Sequence, residues 1–453
     1  MERDKSIQDK ERSKSQVKKT KFHIVIRIRP TDVGDEFESE IFNRDDLKKV
    51  VARLSDKEIK VSKPLVDDRI FEFDKVLKHT TTQEEAFKVI AKDYISDITQ
   101  GYNATIMAYG QTGSGKTYTI FGKEDSMDFN VGDEIDEHSG IVPRSVIYLF
   151  EKLRKESKKT KFKISVSFFQ VYLEQITDLI PDLSDENEED DKKTKNNPSP
   201  MIFNSKTSGN NSHLIKQAKK EAGEGLKIRE DPKTGVFIQG LKQIQVENEE
   251  QLLGLIKYAT KNRITQHTNM NVASSRSHAI LKIQFEKRSY TTNKEADDKG
   301  KTYKTTKGLL TMVDLAGSEK SKLTNDGIRK EESKFINSSI YHLGTVVYNL
   351  ANHHHVNFRE TSLTRVLKDC LHGNSKNAIC ATVSPFLVNY EETLTTLQFA
   401  SQAKYIKVNT TANVLIEIKN MKDQLYNIAS QKTIISNNNI NATSFLGKFI
   451  QNN

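Results

Sequence analysis

Apolar positions recur along this chain in two spacings. Short β-branched runs at Phe22–Arg29, Ile164–Tyr172, Ala279–Phe285, Gly308–Asp314 and Ala378–Ser384 read as strands. Between them, Gln83–Asp97 and Glu249–Asn262 place apolar residues three and four apart, the spacing of amphipathic helices. Strands interleaved with helices predict an α/β domain around a large central sheet. Pro30 closes the first run, because a proline has no N–H to donate inside a central strand.

Polar stretches set the limits of that domain. Residues Met1–Lys21 are almost wholly polar and read as a disordered N-terminal extension. Lys123–His138, Asp182–Gly225 and Arg288–Lys307 read as surface insertions. The second passes from an acidic run at Asp185–Asp191 into a Lys, Asn, Ser and Pro mixture with too few apolar residues to fold alone. Near the end, Ile418, Met421, Leu425 and Ile428 follow a three-four spacing that Lys432 breaks. Two heptads are too few for a dependable coiled coil, so a short helix packed on the domain, followed by a polar tail, is expected, with a monomer as the default and a dimer left open.

The 453 residues carry 70 Lys and Arg against 61 Asp and Glu, a net charge of +9. With 35% hydrophobic residues, no window approaches the roughly 18 consecutive apolar residues of a spanning helix. The polar, partly acidic start is unlike a secretory or transit leader, and Cys370 and Cys380 are too few for a disulfide framework. A cytoplasmic or nuclear location is expected. Basic charge alone could suggest nucleic acid, but no base-stacking module or basic stripe accompanies it.

The chemistry is concentrated in three places. Gly110-Gln111-Thr112-Gly113-Ser114-Gly115-Lys116-Thr117 satisfies G-x-x-x-x-G-K-[ST] after the apolar run Thr105–Tyr109. Its glycines let backbone N–H groups face a phosphate, Lys116 adds a point charge, and Thr117 offers a hydroxyl to Mg²⁺. Asp314 ends a strand and precedes Leu315-Ala316-Gly317-Ser318-Glu319. There a carboxylate could hold Mg²⁺ through water, and the Gly317 N–H could meet a γ-phosphate. Asn271–His278 is a hydroxyl-rich loop with Arg276 in it; on its own it could be a polar turn.

Together with Arg27-Ile28-Arg29-Pro30, these three motifs have the order and phrasing of the kinesin motor domain, which the chain resembles from about Phe22 to Val408. Phe71–Asp74, Gly101–Thr105, Gly140–Arg144, Thr268–Asn271 and Leu363–Arg365 extend the resemblance. It implies a P-loop NTPase fold with a mostly mixed eight-stranded sheet flanked by helices on both faces. It also implies microtubule-stimulated hydrolysis of ATP with Mg²⁺, coupled to movement along microtubules, and a cytoskeletal location. Arg27, Arg29, Pro30 and Tyr118 match the adenine side and Gly110–Thr117 the phosphate side. Ser275 matches the serine that joins Thr117 on Mg²⁺, while Arg276 and Glu319 match a salt bridge that closes on the γ-phosphate and orients water. Ile406 and Asn413 match the start and the latching asparagine of a neck linker, which implies plus-end movement.

Two departures favour an alternative, a microtubule-binding ATPase or anchor that does not move. Ser338 stands where the family usually has lysine, and Glu360-Thr361-Ser362 where it has Asp-Ser-Lys. Lys216, Lys219 and Lys220 of the long insertion could compensate for the missing charge. His353–His355 reads as a solvated loop.

Overall fold

The computed structural model describes residues 17–30, 47–123, 135–156, 160–180, 225–232, 235–268, 276–292, 301–319 and 327–419. In chain order the strands are β1 (Lys18–Lys21), β2 (His23–Ile28), β3 (Val51–Arg53), β4 (Glu58–Lys63), β5 (Val66–Glu72), β6 (Lys75–Leu77), β7 (Ala104–Tyr109), β8 (Thr160–Tyr172), β9 (Gln175–Asp178), β10 (Lys227–Asp231), β11 (Gly235–Gln239), β12 (Ile244–Val246), β13 (His278–Thr292), β14 (Lys301–Asp314), β15 (Lys376–Val383), β16 (Lys407–Thr410) and β17 (Asn413–Lys419). The helices are α1 (Gln83–Ile90), α2 (Lys92–Thr99), α3 (Lys116–Ile120), α4 (Ile141–Arg154), α5 (Glu249–Thr268), α6 (Gly327–Ala351), α7 (Ser362–His372) and α8 (Tyr390–Ala403).

The central sheet has ten strands: eight follow the order β12-β8-β13-β14-β7-β15-β2-β6, and β9 on β8 and β17 on β14 extend it beyond the eight expected. It is mixed: β8, β13 and β14 pair antiparallel, whereas β14, β7, β15, β2 and β6 pair in parallel. Neighbouring residues point into opposite cores. Ile24, Ile26, Phe169 and Val313 pack under α6, α7 and α8, while Val25, Phe168 and Met312 pack under α1, α2, α4 and α5. Coverage of both faces is why the strand sequences read as continuous apolar runs. The helical pattern from Gln83 resolves into two helices. Thr82 and Glu85 form a capping box at the start of α1, and Ala91 leaves helical geometry before α2.

Strand pairing reaches into stretches read from the sequence as extension or insertion. Lys18–Lys21, placed in the N-terminal extension, forms β1 and pairs antiparallel with β16. The insertion expected at Arg288–Lys307 is strand at both ends: β13 reaches Thr292 and β14 starts at Lys301. Polar residues serve there because the backbone ladder, flanked by β8 and β17, supplies the hydrogen bonds. Ile418, assigned to a helical seam, lies on β17, paired with Thr302. Met421, Leu425, Ile428 and Lys432 lie outside the described residues, as do Asp182–Glu224 and most of Lys123–His138. Small antiparallel units β3-β4-β5 and β10-β11 complete the fold.

Candidate functional site

The parallel strands β7, β14 and β15 end side by side, and the loop after β7 turns back over those ends into α3. Gly110 has φ 150° in an approach so close that a Cβ would overlap Thr382 O on β15. Gly115 caps α3 in left-handed geometry, φ 99°, which L side chains disfavour. Ser114 Oγ ties the loop to itself and to β15, through Gln111 O at 2.7 Å and Thr382 Oγ1 at 2.6 Å. The cradle is therefore fixed by the scaffold before any phosphate arrives.

Lys116 is buried, and its Nζ donates to Gln111 O at 2.7 Å. Burial pulls its pKa down to about 8, against the attraction of Asp314 and Glu319. A buried ammonium with few acceptors fits an anion that would satisfy it.

Asp314 is wholly buried at the tip of β14. Its Oδ2 accepts from Thr117 Oγ1 at 2.8 Å and from Arg263 Nη1 of α5 at 2.7 Å. Its Oδ1 is buried without a hydrogen-bond partner. An orphaned carboxylate oxygen next to a hydroxyl is a hard-oxygen set suited to Mg²⁺, which binds through few protein ligands and several waters. Thr117 and Asp314 would hold such an ion, and it would neutralise charge on a bound triphosphate.

Glu319 closes the site from the other side. Its Oε2 accepts from Thr112 N at 2.7 Å and its Oε1 from Thr112 Oγ1 at 2.5 Å, so Glu319 is engaged by the phosphate loop where the sequence reading paired it with Arg276. A Cβ on Gly317 would overlap both Thr112 Oγ1 and the Glu319 carboxylate, so a side chain there would break this clasp. Ser318 N donates to Gly110 O at 3.1 Å, joining the segment to the loop again. Arg276 begins the approach to β13, and Ser275 lies outside the described residues.

On the flank, the Arg27 guanidinium lies 5.5 Å from the Tyr118 ring centroid and donates to Gln83 Oε1 at 2.7 Å and Thr119 Oγ1 at 2.9 Å. Arg29 Nη1 donates to Gly113 O at 2.9 Å, with Pro30 beside it in sequence. Tyr118 OH meets His138 Nδ1 at 3.2 Å. Thus Arg27, Arg29, Tyr118, the phosphate loop, Asp314, Gly317 and Glu319 converge.

Sequence reasoning missed Arg263, Gln83 and His138. Arg263 follows directly on the helical pattern ending at Asn262, and an arginine at a core-facing turn of a helix was the available signal. His278 was read only as the end of a polar phrase.

At the sheet's side, Asn413 N donates to Gly101 O at 2.7 Å, and Asn413 Nδ2 reaches Gly101 O, Asn103 Oδ1 and Lys307 O at 3.0, 3.1 and 3.3 Å. Asn374 clamps Thr411, two residues earlier, accepting from Thr411 N at 2.7 Å and donating to Thr411 O at 2.9 Å. The stretch β16 to β17 is thereby fastened along β1 and β14.

Comparison with known proteins agrees with this geometry. The kinesin motor domain family matches residues 27–406. The chain is 37% identical over 353 residues to kinesin-related protein 5 of Dictyostelium discoideum, covering 77% of this chain and 30% of that protein. It is 32% identical over 410 residues to kinesin-like protein 3 of Schizosaccharomyces pombe, covering 90% and 62%. It thus spans less than two thirds of the length of these curated relatives. Among solved structures, a fast kinesin superposes with TM-score 0.66 at 28% identity over 87% of this chain and 94% of that one. The KIF14 motor, solved as a dimer with AMP-PNP on a microtubule, gives 0.67 at 27% identity over 87% and 97%.

Proposed function

This chain belongs to the kinesin motor-domain family, and on that premise we propose that it hydrolyses Mg·ATP in a microtubule-stimulated cycle and converts the turnover into movement along microtubules, toward their plus ends. The observation that carries the reading is the direct link between Thr117 of the phosphate loop and Asp314, whose strand leads through Gly317 and Glu319 toward α6. A change at the phosphates is thereby transmitted to the largest helix on the opposite face.

In this reading residues 22–408 form the motor, preceded by an extension and followed by a linker, with the segment at about 182–225 inserted. Gly110–Thr117 bind the phosphates, and Arg27, Arg29, Pro30 and Tyr118 the base. Thr117, Ser275 and, through water, Asp314 hold Mg²⁺. Phosphoryl transfer needs positioning and charge stabilisation more than a strong base. Glu319 therefore acts as a gate, leaving Thr112 for Arg276 when a γ-phosphate and the Gly317 N–H draw the segment inward. The fastened β17 supports a linker that docks along the sheet, a two-state element suited to bias direction.

The test is steady-state ATPase with and without stabilised microtubules at low and moderate salt, with Glu319→Ala as control. Strong stimulation that the substitution removes, with nucleotide still bound, supports the reading; basal hydrolysis without stimulation defeats it. One observation favours a microtubule-binding ATPase that does not translocate. Ser362 N and Oγ face Glu174, and Glu230 engages Arg359 before α7 and Lys368 on it, so charge around α7 is turned to intramolecular use. Gliding by surface-bound protein separates the two.

A further inference from the structure

His278 is a buried imidazole that none of the steps above uses. It sits at the start of β13, and its two nitrogens reach two different elements. Nδ1 accepts from Ala316 N at 3.0 Å, in the segment between Asp314 and Glu319. Nε2 lies 2.9 Å from Ser339 Oγ on α6.

The hydrogens can be placed by elimination. Ser339 Oγ donates its one hydrogen to Ile336 O at 2.8 Å, so towards His278 it can only accept. Nε2 must therefore carry the proton and Nδ1 must be bare, as its bond from the Ala316 N–H requires. A second ring proton would set two donors face to face at Ala316. Burial and the nearby Arg263 and Lys116 push the pKa down to about 3, so the neutral tautomer holds throughout the ordinary pH range.

The segments that carry His278 and Ala316 are themselves anchored at the phosphate site. Arg263 Nη2 donates to Ser277 O at 2.9 Å, one residue before His278, while Arg263 Nη1 holds Asp314. Asp314 holds Thr117 of the phosphate loop. Buried groups with complete partners move together, because separating them leaves an unsatisfied donor or acceptor.

We propose that His278, as the Nε2–H tautomer, is a positioning residue that fastens the Ala316 segment to α6 through Ser339, so that displacement of that segment by nucleotide shifts the helix. This rests on the nucleotide-binding reading above. The bridge acts alongside the covalent connection from Glu319 to α6 and makes the helix respond as a rigid unit at its middle.

The experiment is hydrogen exchange of the α6 amides at 335–351 in the apo protein, with Mg·ADP and with a non-hydrolysable ATP analogue. It is run on the full chain, on Ser339→Ala and on His278→Asn. The asparagine keeps an acceptor for Ala316 N but cannot reach Ser339. Fluorescent-ADP affinity of each protein is measured in parallel. In the unaltered chain the analogue should change α6 exchange by about fivefold or more relative to Mg·ADP, the size of a modest coupling. Both substitutions should cut that difference below about twofold while ADP affinity stays within about twofold. A full difference retained in both variants overturns the proposal. So does an unaltered chain that binds ADP but shows no change in α6. An unaltered chain that binds no ADP overturns the nucleotide reading itself.

Discussion

Thr112 holds both oxygens of Glu319, one through its backbone N–H at 2.7 Å and one through its hydroxyl at 2.5 Å. The same carboxylate is therefore a ligand of the phosphate loop in this state and the proposed partner of Arg276 in the hydrolytic one. Thr112→Ala removes the hydroxyl arm and leaves the backbone arm. A hydrogen bond to a charged group contributes about 1.5–3 kcal/mol, less at this exposed position. Basal ATPase should rise by about three- to tenfold as Glu319 is released. An unchanged or lower basal rate, with ATP affinity intact, would show that this clasp does not restrain the gate.

Lys116 gives a pH signature. Its folded-state pKa of about 8 lies below the ordinary lysine value, so between about pH 8 and 10.5 the unfolded chain binds more protons than the folded one. The stability of the nucleotide-free protein should accordingly rise with pH across that window; below it the full cost of the buried charge is present. A bound polyphosphate stabilises the ammonium and returns the pKa upward. Binding should then take up close to one proton near pH 9, and ADP affinity should fall as pH rises above about 8. Calorimetry in buffers of different ionisation enthalpy measures the uptake. Lys116→Met should abolish it along with most of the affinity; uptake that persists in that variant would assign the proton elsewhere.

The Arg263–Asp314 pair is buried on both sides, at 2% and 0% exposure. Removing one partner of such a pair leaves an uncompensated charge and costs about 3–5 kcal/mol. Arg263→Ala should therefore lower the denaturant midpoint substantially. Saturating Mg·ADP should recover part of the loss, because the Mg²⁺ proposed near Asp314 would supply the missing positive charge. Loss without recovery would separate Arg263 from the metal site.

Asn413 and Asn374 together hold the chain as it enters β17. Asn413→Ala deletes the side-chain bonds to Gly101 O, Asn103 Oδ1 and Lys307 O, and Asn374→Ala deletes the clamp on Thr411. Each net bond is worth roughly 0.5–1.5 kcal/mol, so opening of β17 should become about tenfold more frequent in either variant. Hydrogen exchange at 413–419 reads this directly. Protection unchanged in both would mean that the β14 ladder alone holds the strand.

Much of this architecture was legible because its signals are local. Gly110–Thr117 declares a phosphate loop, since the backbone path demands glycine at fixed places. The runs around Ile106, Ile280 and Val313 declare strands covered on both faces. Pairing between distant segments was not legible. Lys18–Lys21 is polar because β1 lies outside the cores, and only β16, some 390 residues later, makes it a strand. Thr302–Thr306 lacks apolar alternation, yet its ladder neighbours on both sides fix it. At the site, Arg263 and His278 depend on tertiary partners that no spacing announces. The Glu319 clasp could not be read at all, because it joins Thr112 and Glu319 from segments far apart in the chain and no spacing announces the contact.

Glu230 offers the last test, on the surface that the family resemblance assigns to the track. This β10 carboxylate engages both Arg359, in the turn before α7, and Lys368 on α7, and Asp369 of α7 accepts from Val236 N of β11 at 2.7 Å. The two cations lie near Ser362, where the resemblance expects a further lysine. Glu230→Gln removes the negative charge but leaves the Asp369 bond to hold the hairpin on α7. If the proposed face meets acidic tubulin, freeing Arg359 and Lys368 should tighten microtubule binding several-fold at low salt and steepen its salt dependence, since exposed charges act mainly through long-range attraction. Co-sedimentation across a salt series measures both quantities. Thermal stability should barely move, because ion pairs this exposed contribute about 0–1 kcal/mol. Unchanged affinity at every salt concentration would place the track contact away from α7.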